Sequence, residues 1–182
     1  MRLSVRLTAD SVEKAIREVK QYKKRLQANA DELSRKLAED GAKLASAKVR
    51  EVATYGNLND IAASIHPQKK SSGHWIVIAD NFKAPYVELG TGVQGSNSQH
   101  PKSAEMGWAY MTGDFTWYNG KFGWWYPTTP DDPNTTLTQT ENGDWVAFTS
   151  GMPARPFMHE TAMQLKETVY STALEVFKND KG

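Results

Sequence analysis

Ala84-Pro85-Tyr86-Val87-Glu88-Leu89-Gly90-Thr91-Gly92 is answered, about sixty residues later, by Gly151-Met152-Pro153-Ala154-Arg155-Pro156-Phe157-Met158. In the first stretch an apolar run carrying one carboxylate meets Gly-Thr-Gly, which can take the positive φ angles of a sharp exit turn. Pro85 cannot donate to a central ladder, so this run reads as a short helix or an edge strand. In the second stretch two prolines bracket Ala-Arg ahead of an amphipathic segment, the way a helix is launched at a fixed angle. The two stretches are structural joints, and each points outward to a larger element.

Upstream of the first joint, Asp10 stands three residues before Glu13, a capping-box-like helix start. Val12, Ile16, Val19, Leu26, Ala30, Leu33, Leu37, Leu44 and Ala47 then recur at spacings of three and four, interrupted by Lys23 and Asp40. That is one apolar helical stripe, with a bend expected near Asn29 or Gly41 and Asp31 placed to cap a second segment. Residues 3–8 and 74–79 alternate or enrich β-formers and read as strands; Lys69 to Gly73 reads as a polar turn, and residues 61–65 as a brief apolar turn. Downstream of the second joint, Phe157, Ala162, Leu165, Val169, Ala173, Val176 and Phe177 stripe a closing helix.

Between the joints, residues 93–143 hold few aliphatics and a dense aromatic series. Trp108, Trp117, Trp124 and Trp125 fall within eighteen residues. Asn119-Gly120 is a type I′ hairpin signal flanked by aromatics, and Asn142-Gly143 is a second such pair leading into a strand at 144–148. The expected architecture is therefore α+β: a long N-terminal helical part, a small mostly antiparallel sheet, a C-terminal helix and a long aromatic-rich loop. At 182 residues this is expected to be one domain, 1–182, with 93–143 as a protruding loop or hairpin insertion.

Chemistry is sparse. There is no cysteine, which excludes disulfides and thiolate metal sites and favours a cytoplasmic or virion-assembled origin. The four histidines, at 66, 74, 100 and 159, form no metal-ligand spacing, and no nucleophile or phosphate-loop motif occurs. The expectation is no catalytic residue, no metal and no cofactor. The N-terminal Arg2-Leu3-Ser4-Val5-Arg6 lacks a signal-peptide core, and no apolar run approaches the ~20 residues of a membrane helix, so a soluble protein with no membrane partner is expected.

Glu88, the one carboxylate in an apolar run, needs a partner, and Arg155 is the expected one. Residues 1–53 carry thirteen Lys or Arg against eight Asp or Glu, a balance of +5, while residues 54–150 carry five against nine, −4. Lys20, Lys23, Lys24 and Arg25 make the basic run a possible DNA-facing footprint, although a solvated helix face is the commoner origin of such a run. The tryptophans admit stacking on sugars or bases, or a protein interface; the interface is favoured because such clusters concentrate binding energy there.

Tyr86-Val87-Glu88-Leu89-Gly90-Thr91, preceded by Ala84-Pro85, together with Pro153-Ala154-Arg155-Pro156-Phe157-Met158 and a helix containing Ala162, resembles the tailed-bacteriophage neck or tail-completion family, which includes relatives of the lambda minor tail protein Z. Gly56-Asn57-Leu58 and Ser64-Ile65 match that family's middle signature, with a longer gap. The resemblance spans most of the chain but assigns no motif to 93–143. It implies a structural virion protein, made in the host bacterial cytoplasm and incorporated at the head–tail junction or in tail completion. It further implies a ring, commonly a hexamer, stacked with connector, stopper and tail-terminator proteins around the DNA exit axis. Tyr86, Glu88, Gly90, Thr91, Gly92, Arg155, Pro156 and Phe157 would then be joint and interface residues, and Trp108, Trp117, Trp124 and Trp125 a partner-binding loop. Two other classes compete. A carbohydrate- or receptor-binding module would expose Trp124 or Trp125 in a groove, and a wall-degrading tail hydrolase would set two carboxylates such as Glu88 and Asp114 across a cleft.

Overall fold

A computed structural model describes residues 8–52, 58–132, 134 and 136–178. The expected strand at 3–8 lies almost wholly outside the described residues, as do Gly56 and Asn57 of the middle signature. The fold is α+β. In chain order it comprises α1 (Ala9–Glu51), α2 (Asn59–Ser64), β1 (Ile65–Ser71), β2 (His74–Ala79), α3 (Ala84–Leu89), α4 (Gly92–Asn97), β3 (Thr116–Tyr118), β4 (Lys121–Pro127), β5 (Leu137–Gln139), β6 (Trp145–Thr149), β7 (Gly151–Met152) and α5 (Phe157–Lys178). No helix among the described residues is long and apolar enough to cross a membrane.

Contacts divide the chain into two compact units. One holds the chain up to Lys43, His66–Ile78 and everything from Met163; the other holds Leu44–Ile65 and Ala79–Ala162.

In the first unit α1 corrects two expectations. It is one helix of 43 residues, without a break at Asn29 or Gly41, and so about 65 Å long at 1.5 Å per residue. Asp31 caps nothing. It lies inside the helix and anchors the β1–β2 hairpin: Oδ1 accepts from the Gly73 N–H at 2.8 Å and the Trp75 indole N–H at 3.2 Å, and Oδ2 from Lys69 at 2.6 Å. The Ser34 hydroxyl accepts the Trp75 N–H at 3.0 Å. These partners hold the Asp31 carboxyl below the ordinary aspartate range, the Lys69 bond contributing most. Gly41 lies inside the unbroken helix; a Cβ there would sit 2.9 Å from Leu165 Cδ1 and 3.1 Å from Val77, so its missing side chain admits α5 and the hairpin together.

The buried face of α1 is also not the leucine stripe. Ala38, Gly41, Ala42, Ala45 and Val49 are buried, while Leu33, Leu37 and Leu44 are half-buried and Ala30 and Ala47 exposed. At 100° per residue the small-residue face is roughly a quarter turn away from the stripe. The Leu165 and Val77 side chains crowd this face at Gly41 and so favour small residues, and the spacing of three and four alone could not show which of two adjoining faces would be covered. Residues 59–64 are a helix rather than a turn, and the Lys69 to Ser71 segment belongs to β1, with the turn confined to Ser72-Gly73.

In the second unit a four-stranded antiparallel sheet runs in the order β3-β4-β6-β5. Residues 93–143 therefore do not form one long loop: they supply α4 and three of these four strands. Asn119 and Gly120 have φ of 46° and 75°, the pair of positive angles a type I′ hairpin requires. The second Asn-Gly pair behaves differently. Gly143 donates to the Thr140 carbonyl, Thr140 to that of Asp144, and only Gly143 is left-handed, a type I turn closed by a glycine bulge. Val49, Ile61 and Phe157 are the largest apolar side chains fully enclosed in this unit.

Candidate functional site

The two joint sequences meet. Thr91 bridges Met152 and Gly92 bridges Gly151 in antiparallel fashion, the Thr91 hydroxyl accepts the Met152 N–H at 3.3 Å, and the Ala154 N–H donates to the Ser98 carbonyl at 3.0 Å. The glycines are obligatory at the crossing. Gly90 has φ 78° and a Cβ on it would lie 2.6 Å from the Ala154 nitrogen; Gly92 has φ 62° and a Cβ would lie 2.5 Å from the Trp124 ring. Met152, Ala154 and Trp124 approach the backbone more closely than any side chain would permit.

Glu88 closes the joint, but not through the expected Arg155 ion pair. Its Oε2 accepts the Met158 N–H at 2.8 Å, and its Oε1 accepts the His159 N–H at 2.9 Å and the His100 Nε2–H at 3.1 Å. Arg155 joins by its backbone, donating to the Val87 carbonyl at 2.9 Å. The first three N–H groups of α5, which no helix satisfies internally, are thereby all taken, Phe157 by the Arg155 carbonyl and Met158 and His159 by Glu88, and Glu160 then makes the first i→i−4 bond, to the Pro156 carbonyl at 2.8 Å. A carboxylate at this end also lies at the positive pole of the helix dipole. Pro156 and buried Phe157 fix where the helix starts, and burying the Phe157 ring contributes about 1.5–3 kcal/mol.

His100, 2% exposed, was invisible to sequence reasoning. Its Nδ1 accepts the Lys102 N–H at 3.0 Å, which leaves the ring proton on Nε2, aimed at Glu88. Its backbone N–H donates to the Tyr110 hydroxyl at 2.9 Å, and its ring meets His159 edge-on at 5.3 Å. The one available signal was the need of a carboxylate in an apolar run for several donors; nothing named a histidine twelve residues away. Among the described residues no group of three or more potential ligands is placed to hold a metal.

The tryptophans do not act as one loop. Trp108 donates its indole N–H to the Gly90 carbonyl at 2.9 Å and meets half-exposed Tyr86 edge-on at 5.9 Å, so it belongs to the joint. Trp124 packs on Phe115 at 5.2 Å, and Trp125 packs with Tyr118 and Phe148 at 4.8 and 5.3 Å. Both are half-buried and serve as sheet core. Trp117, on the edge strand β3, is 71% exposed. At the far end of β4 Tyr126, Thr128 and Asn134 converge on Asp132, a hydrogen-bonded corner that pins the β4–β5 connection.

The sequence matches no family model, curated protein or solved structure. The joint and the exposed edge of the aromatic sheet therefore stand on their own geometry.

Lys20, Lys23, Lys24 and Arg25 are exposed on α1 but do not share a face. At 100° per residue Lys20 and Lys24 lie side by side, Lys23 falls within the apolar stripe, and Arg25 points away roughly 100° from Lys24. A strand of DNA lying along one side of α1 would meet three of the four, since Lys20, Lys23 and Lys24 fall within one arc of about 100°.

Proposed function

We propose that this chain is a structural virion protein of a long-tailed bacteriophage, acting at the head–tail junction or in tail completion, as a ring around the DNA exit axis. The observation that carries the reading is the coincidence of resemblance and mechanics. The residues that resemble the neck family, Tyr86 to Thr91 and Pro153 to Met158, are those that Glu88, Gly90 and Gly92 lock into one joint. A ring needs subunits of fixed internal angle and a rigid edge to present to the next copy, and a glycine-tight joint beside the exposed β3 edge supplies both.

The hydrolase alternative is weakened because Glu88 already accepts three hydrogen bonds and has no free role as an acid. The carbohydrate alternative loses Trp124 and Trp125 to the sheet core and retains exposed Trp117 alone.

The test is assembly. Purified protein is mixed with neighbouring connector, stopper and tail-terminator proteins and followed by light scattering and negative-stain imaging, and particles made without this protein are examined for unjoined heads and tails. Normal joined particles in its absence, together with glycan binding through Trp117, would sink the reading.

A further inference from the structure

The N-terminal part of α1 carries an apolar seam that stands exposed among the described residues. Lys36 pairs with Glu175 at 2.8 Å while Gly41 lies against Leu165, so α5 runs antiparallel along the middle of α1. Its described end, Lys178, is three residues past Glu175, about 4.5 Å further along the axis. Every residue of α1 from 19 to 28 is exposed. Val12, Ile16, Val19, Tyr22 and Leu26 are 41, 49, 49, 40 and 44% exposed. A lone helix of this length is marginal in water, and its stability in proteins comes from burying an apolar face. The seam follows heptad spacing: Ile16 and Lys23 occupy a positions, and Val12, Val19 and Leu26 d positions.

We propose that the occupant is the same segment of a second copy, paired antiparallel about a two-fold axis between Arg17 and Glu18. In that register Ile16 faces Val19 of the second copy, Tyr22 lies over Ala15, and Glu13 flanks Lys20, each contact occurring twice by symmetry. Lys23 lies across Val12 and extends its ammonium to Glu13 of the second copy. The two basic runs fall at opposite ends, residue 24 to residue 24 being about 20 Å apart along the axis, beyond a Debye length of ~8 Å at physiological salt. A parallel pair does the opposite. It sets Lys23 on Lys23, brings both basic runs together, and places Lys20 beside Ala15 and Gln27 beside Tyr22, while Glu13 meets Thr8 instead of a lysine. Charge thus selects the antiparallel arrangement. This pairing does not depend on the neck reading and concerns the free protein before any ring forms.

Light scattering and sedimentation of the full chain test it. At about 100 μM an interface with Kd near 10 μM is mostly dimeric, and dimer is the expected species. Ile16→Asp should weaken association by at least about tenfold, with far-UV circular dichroism retaining the folded signal because the site is exposed. Lys20→Glu should weaken it, and the swap Glu13→Lys with Lys20→Glu should restore it. Because the chain has no cysteine, a short bis-maleimide linker added to a mixture of Glu13→Cys and Lys20→Cys chains should give a cross-linked heterodimer. A monomer throughout, a dimer indifferent to Ile16→Asp, or cross-linking through Lys23→Cys with none in the mixture would overturn the proposal.

Discussion

The Glu88 carboxylate caps a helix that begins some seventy residues downstream, its Oε2 accepting the Met158 backbone N–H at 2.8 Å. With His159 and His100 also donating to it, this one side chain ties α3 to the first turn of α5. Glu88→Gln keeps the shape but turns an amide N–H₂ toward a backbone donor, and should cost about 1–3 kcal/mol. Urea unfolding measures this directly; an unchanged midpoint would remove the capping role.

Gly92→Ala and Gly120→Ala separate crowding from backbone strain. Both sites have positive φ, but a Cβ on Gly92 meets the Trp124 ring and the Ser150 carbonyl within 2.7 Å, whereas nothing lies within 4 Å of one on Gly120. Gly120→Ala should cost about 1–2 kcal/mol for the left-handed backbone alone, and Gly92→Ala distinctly more, since carbonyl and ring cannot both move aside. Equal midpoints for the two variants would contradict the close crossing.

Trp117→Ala and Trp125→Ala divide binding from folding. Trp117 is exposed and should fall within about 0.5 kcal/mol of wild type, while losing affinity for whichever partner covers the β3 edge. Trp125 is enclosed by Tyr118 and Phe148 and should cost about 2–4 kcal/mol. Differential scanning calorimetry beside a pull-down with neck proteins reads both; a Trp117 variant that binds normally would move the interface elsewhere.

Asp31 makes the hairpin's attachment to α1 acid-sensitive. Its pKa is lowered in the fold, first by the Lys69 bond and then by the Gly73 N–H. The stability it contributes is therefore present above its unfolded pKa, about 3.9, and is lost as pH falls through the lower folded value. The Trp75 indole proton, bonded to Asp31, should keep its chemical shift from neutral pH to about pH 4 and move only below that. Asp31→Asn should abolish the transition. A shift that moves near pH 6 would assign the change to another group.

The sequence alone determined the type of the elements with a clear local signal, because those follow from periodicity and turn chemistry, while residues 59–64, Lys69 to Ser71 and the strands within 93–143 were not legible. The α1 helix, the Asn119-Gly120 turn, the β6 strand and the α5 start at Pro156-Phe157 were all legible, as was the importance of the two joint sequences. Tertiary structure decided everything that depends on which groups meet at long range. It gave Glu88 to the α5 amides and His100 instead of Arg155, since unsatisfied backbone donors at a helix start are invisible in a list of side chains. It chose the alanine face of α1 over the leucine stripe, since close contact with neighbouring side chains, as at Gly41, rewards small residues and periodicity does not report distance. It half-buried Trp124 against Phe115 and Trp125 against Tyr118 and Phe148, on opposite faces of β4, and left Trp117 outside, since position on an edge strand, not the residue type, sets which ring is covered.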